Sequence, residues 1–118
     1  MDQTQIDELK ESYYEYINKV PQGLQTIVNF FENNELEKAL EGVANLAEGL
    51  AFLVKIEEAL KGEGLTINSR LNDGLIAFEE INMSLINGDY LLLKELLEYE
   101  LIPLFSSASE WFFFQKGE

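Results

Sequence analysis

Apolar residues recur along most of the chain three and four positions apart, the spacing of one face of an α-helix. The first run is Ile6, Leu9, Tyr13, Tyr16, Ile17 and Val20, with Asp7, Glu8, Glu11 and Glu15 on the opposite side and Thr4 as the N-cap. Val20-Pro21-Gln22-Gly23 interrupts it, and Leu24, Ile27, Val28 and Phe31 resume it at once. One rod with a kink or short break at Pro21 is therefore expected, ending at Glu32-Asn33-Asn34. A second rod, about 35–61, carries the heptad seam Leu36, Leu40, Val43, Ala47, Leu50 and Val54, widened by Leu46, Leu53 and Leu60. Gly62-Glu63-Gly64 stops it. The third, roughly 65–86, buries Ile67, Leu71, Leu75, Phe78, Ile81 and Leu85, with Gly74 in the same stripe. Asn87-Gly88 closes it as a left-handed cap, and Asp89 caps a fourth rod over 89–114. No strand-like alternation is read anywhere.

Short connections between long rods force antiparallel neighbours. The predicted fold is all-α: an antiparallel up-down-up-down four-helix bundle, one domain over residues 1–118, with proline kinks in helices 1 and 4. In that topology Pro21 and Pro103 fall at nearly one level, about 20 Å from the shared end.

Composition narrows the function. The 118 residues are 47% hydrophobic, enough for a core and too many for a disordered chain. Cysteine and histidine are absent, which excludes disulfides, thiolate or imidazole metal sites and the usual general base. The start has no basic, apolar signal character and no run is long enough to span a bilayer, so a cytoplasmic protein is expected. The net charge is −14, and the eight basic residues are scattered singly. Nucleic acid and anionic membranes would be repelled, while a basic or neutral protein surface would not.

Catalytic patterns are missing. Ser106, Ser107 and Ser109 have no Ser-x-x-Lys or Gly-x-Ser-x-Gly around them, and Gly62-Glu63-Gly64 is too short and too acidic for a phosphate loop. Bridged di-metal bundles need Glu-x-x-His pairs. An all-carboxylate site for Mg²⁺ or Mn²⁺ is conceivable, but most glutamates occupy solvent faces. The expectation is no enzyme, no cofactor and no metal.

Two features of the last rod remain. Leu93, Leu97, Glu100, Leu104 and Trp111 keep the four-three rhythm, so Glu100 points where leucine belongs. With Lys19 and Tyr16 on the first helix at that level, it forms a candidate ligand or core-polar site. Trp111, Phe112, Phe113 and Phe114 cover every side of a helix, more than one core can use. Leu91, Ile102 and Phe113 share an outward line, Ile76 and Met83 point away from the core, and Phe52 and Ile56 lie with Gly42, Asn45 and Gly49 on the outer strip of the second helix. Contiguous apolar surface marks a contact, here a homodimer or a groove for a partner helix. The alternative is that the aromatics fold back over the open end of the bundle.

Residues 88–104, GDYLLLKELLEYELIPL, resemble a D-Y-x-x-L-x-x-L-L-E-Y-E-L-x-P-L signature of small, uncharacterised proteins of Gram-positive bacteria, matched by Glu98, Tyr99, Glu100 and Pro103. That resemblance implies a helical fold and no established activity. In layout, and in the Asn87-Gly88-Asp89 turn, the chain is similar to the flagellar export chaperone, which implies a groove for a partner's helices. The sequence thus points to a non-enzymatic, self-associating, protein-binding bundle, chaperone-like or an accessory subunit. The alternative is a small-molecule or metal-binding bundle that uses a core carboxylate.

Overall fold

A computed structural model describes residues 1–116. The described chain is predominantly helical, as the periodicity requires: α1 spans Gln3–Glu32, α2 Leu36–Gly62, α3 Leu71–Ile86, α4 Tyr90–Leu96 and α5 Ile102–Ser106. Its dimensions are 47 × 22 × 21 Å.

Local chemistry fixes the ends of these rods. Asp2, rather than Thr4, caps α1: its carboxylate accepts from the Gln5 N–H at 2.9 Å while Gln5 Oε1 accepts from the Asp2 N–H at 3.0 Å. The charged acceptor lies one residue before the helix, and Thr4 becomes part of it. Asn34 (φ 59°) and Gly88 (φ 67°) take the left-handed conformation between helices. Asp89 Oδ1 then accepts from the Leu92 N–H at 3.1 Å, as expected.

α1 is continuous through Pro21 and packs against both α2 and residues 90–106. α3 packs against residues 90–101. The buried stripe of α2 is centred on Val43, Leu46, Leu50, Leu53, Ile56 and Leu60. Leu36 and Ala47 of the expected seam are exposed, and Ile56, expected outside, is 3% exposed. Leu46, Leu53 and Leu60 are seven apart, so they hold one face of α2 while the other series drifts toward solvent.

The last rod departs most from expectation. Between α4 and α5, residues Leu97–Leu101 form a π-helical turn in which the Ile102 N–H bonds to the Leu97 carbonyl, five residues back. Pro103 explains its position. Proline has no N–H to give, and in an unbroken α-helix its ring would meet the Tyr99 carbonyl. The wider turn inserts one residue, and the seam slips from Leu93–Leu97–Glu100–Leu104 to Leu93–Leu97–Leu101–Phe105. All four of the latter are at most 1% exposed, while Glu100 is turned to solvent. The helix also stops earlier than residue 114: a 3₁₀ turn, Ala108–Glu110, follows α5, and the chain becomes extended at Trp111.

Phe113–Gln115 is a strand, β2, paired antiparallel with β1, Leu65–Ile67, which precedes α3. The register sets Leu65 against Gln115, Thr66 against Phe114 and Ile67 against Phe113. The aromatic run accordingly alternates as a strand does, with Trp111 and Phe113 buried and Phe112 exposed. The reading that no strand exists is corrected at both segments.

Candidate functional site

The structure separates the residues that the sequence grouped together. Glu100 is exposed and lies with Arg70, Asp73 and Glu80 in a hollow between α3 and the π-helical turn. Lys19 and Tyr16 line a groove between α1 and α2. The carboxylate and the lysine therefore face different grooves, because the π turn rotates Glu100 away from the core. Of the expected contact residues, Ile76 and Met83 (each 57% exposed), Phe52 and Phe112 are exposed, and Ile102 and Phe114 are half-buried. Ile56, Trp111 and Phe113 are buried. The aromatic tail thus mainly covers the end of the core: Trp111 lies on Phe105, with ring centroids 5.8 Å apart, and Phe113 meets Tyr13 edge-on at 5.0 Å.

A polar cluster that the sequence did not reveal holds this end together. The buried Tyr13 hydroxyl donates to Glu57 Oε2 of α2 at 2.5 Å, and Ser69 Oγ donates to the same oxygen at 2.9 Å. Burial, and then the Glu57 carboxylate, raise the Tyr13 phenol well above its ordinary value. The Tyr14 hydroxyl accepts from the Phe113 N–H at 2.9 Å. Asn68 clasps the tail twice: Oδ1 accepts from the Phe112 N–H at 2.8 Å and Nδ2 donates to the Glu110 carbonyl at 3.3 Å. These side chains satisfy buried or strand-end groups, as a joint between segments requires. Its sequence signal was faint, a Tyr-Tyr pair and an Asn-Ser pair just before a helix.

The surface suited to contact lies along α3. Ile76, Met83 and Leu92 (42% exposed) line a hollow of about 440 Å³ between α3 and α4, with Glu79, Glu80 and Asp89 around them. It shares Ile76 and Glu80 with the Glu100 hollow, of about 350 Å³, so the two adjoin along α3, together called the α3 groove. Five carboxylates (Asp73, Glu79, Glu80, Asp89 and Glu100) border that groove. Its one cation, Arg70, is already bound to Asp73 at 3.2 Å. Apolar floor and acidic rim complement an amphipathic segment with basic flanks.

Among the described residues, no three His, Cys, Asp or Glu side chains gather closely enough to hold a metal ion. No helix there is long and apolar enough to cross a membrane. No curated protein and no solved structure matches the chain. A family model does match, over residues 8–110, which include the polar joint at Tyr13, Glu57 and Ser69 and the whole α3 groove. The chain belongs to that family, described as a domain of unknown function (DUF8042).

Proposed function

We propose that the protein is a non-enzymatic binding module, chaperone-like or an accessory subunit, whose α3 groove takes a basic amphipathic helix of a partner protein. The observation that carries this reading is the exposure of Ile76, Met83 and Leu92 side by side within a rim of five carboxylates. Isolated apolar side chains on a surface are ordinary, but contiguous ones are not. In this reading the rods run up-down-up-down and bend at Pro21 and Pro103. The pairing of Tyr13 with Glu57 supports it, since it joins the first half of α1 to the second half of α2, and Tyr14 likewise meets Phe113, beyond the end of the last rod. α3 has 16 residues, about 24 Å at 1.5 Å per residue, and offers room for about four turns of a partner helix.

A second copy of the chain would bring one acidic rim against another, so its groove-to-groove dimer is opposed by charge. The test is titration of a 16-residue leucine–lysine amphipathic peptide, with a leucine–glutamate peptide of equal helicity as control. The basic peptide binds, more weakly at high salt, and Met83→Glu or Ile76→Glu abolishes it. Equal binding of both peptides, or none, refutes the proposal. Light scattering that finds a dimer disrupted by Met83→Glu makes the second copy the occupant instead.

A further inference from the structure

The α1–α2 groove differs in chemistry from the acidic groove along α3. It measures about 390 Å³, within the range of small-ligand sites. Val20, Leu24, Ile27 and Leu46, all buried, form its floor. Tyr16, packed on Phe52 at 5.7 Å between centroids, stands at one end, and Phe30 stands at the other. Two missing side chains shape the groove, one by letting a neighbour approach and one by leaving room. The space beside Gly42 is taken by Ile27, whose Cγ1 lies 2.7 Å from where a Cβ would sit, and the space beside Gly23 is open.

None of its eleven lining residues is acidic, whereas eleven drawn at random from a chain with 22 acids in 118 residues would include about two. Lys19 is the one charge, and it makes no ion pair among the described residues. The Tyr16 hydroxyl and the Asn45 amide add hydrogen-bonding capacity at the same walls. A cation with two polar neighbours beside an apolar trough suits a molecule with an anionic head and a hydrocarbon body. At roughly 30 Å³ per methylene-sized group, on the scale of a water molecule, the trough holds on the order of ten such groups.

We propose that this groove is a binding site for a medium-chain aliphatic carboxylate, its head at Lys19 and Tyr16 and its tail along Val20, Leu24 and Leu46. The site lies between α1 and α2 and shares no lining residue with the α3 groove, so it stands or falls independently of the partner-helix reading.

Three probes with the same ten-carbon tail test it: sodium decanoate, decanol and decyltrimethylammonium, each below its micelle concentration. Calorimetry reads affinity, and amide shifts at Gly23, Thr26, Gly42 and Asn45 read location. Decanoate binds saturably and shifts those amides, decanol binds more weakly, and the cationic probe does not bind there. That order runs against the protein's net charge, which would favour the cation everywhere else. Lys19→Gln, at an exposed position, weakens decanoate about five-fold and leaves decanol unchanged. Gly23→Leu, which places a side chain in open space, removes both. Absence of saturable decanoate binding overturns the proposal. So does equal affinity for the cationic probe, shifts confined to other residues, or a Gly23→Leu protein that binds decanoate as the parent does.

Discussion

Gly49 sits beneath Tyr16, and replacing it with alanine sets two effects of known size against each other. A methyl group there would overlap the Tyr16 hydroxyl and crowd the ring carbon that bears it. Gly49 is in the interior of α2, where glycine to alanine otherwise stabilises by about 1 kcal/mol through backbone entropy. Overpacking costs about 1–3 kcal/mol. Tyr16 is half-buried on a groove edge and yields in part by swinging outward, so a cost of about 2 kcal/mol, the middle of that range, applies and the net loss is about 1 kcal/mol. In a Tyr16→Ala background the obstacle is gone and the same substitution gains about 1 kcal/mol. At about 2.1 cal/mol/K per residue, 118 residues give an unfolding entropy of about 250 cal/mol/K, so 1 kcal/mol moves Tm by about 4 °C. Calorimetric melts of the four proteins in the cycle should therefore show Gly49→Ala lowering Tm by about 4 °C in the parent and raising it by about 4 °C with Tyr16→Ala. A change of the same sign in both backgrounds would refute the packing of α1 on α2 described above.

Two further outcomes follow from the last rod and the polar joint. Glu100→Gln should leave chemical-denaturation stability within about 0.5 kcal/mol, whereas Leu101→Ala should cost about 2–5 kcal/mol; the reverse order would mean that the π turn does not set the register. Tyr13→Phe should cost about 1.5–3 kcal/mol at neutral pH, the worth of a hydrogen bond to a charged group. It should also flatten the alkaline limb. Tyr13 has a raised folded pKa, so its contribution is complete below the unfolded value of about 10 and falls by up to about 1.4 kcal/mol per pH unit above it. Urea melts between pH 7 and 11 with identical slopes for Tyr13→Phe and the parent would contradict the buried, hydrogen-bonded phenol.

Most of the helical framework was legible because long rods repeat their signal many times. Ten apolar positions between Ile6 and Phe31 agree on one face of α1, and one proline does not outvote them. The Asn87-Gly88-Asp89 turn was legible because each residue has its own conformational reason to be there. The ribbon was not, since three residues are too few to display alternation and β1 meets its partner about fifty positions later. Yet the four aromatics held a clue: in a strand two of them face inward, which disposes of the surplus that a helix could not hide. Glu100 was misread for a sharper reason. The spacing 93–97–100–104 is correct for a uniform helix, and only Pro103, six residues after Leu97, reveals that the helix is not uniform. Once the seam shifts, the proposed union of Glu100 with Lys19 dissolves, and each residue joins a groove of its own.

The contact between Tyr14 and Phe113 joins positions 99 apart. During synthesis at about 5–20 residues per second, Tyr14 waits about 5–20 s for its partner to exist. Through that interval α1 and α2 can pair, but the phenyl ring that covers Tyr13 and the strand that closes on β1 have not been made. The apolar end of the nascent chain is therefore open to solvent, chaperones and proteases until Phe113–Gln115, beyond the matched region, have been made. Variants that weaken this joint should betray themselves first in the yield of newly made protein, before any change in the properties of the molecules that complete it.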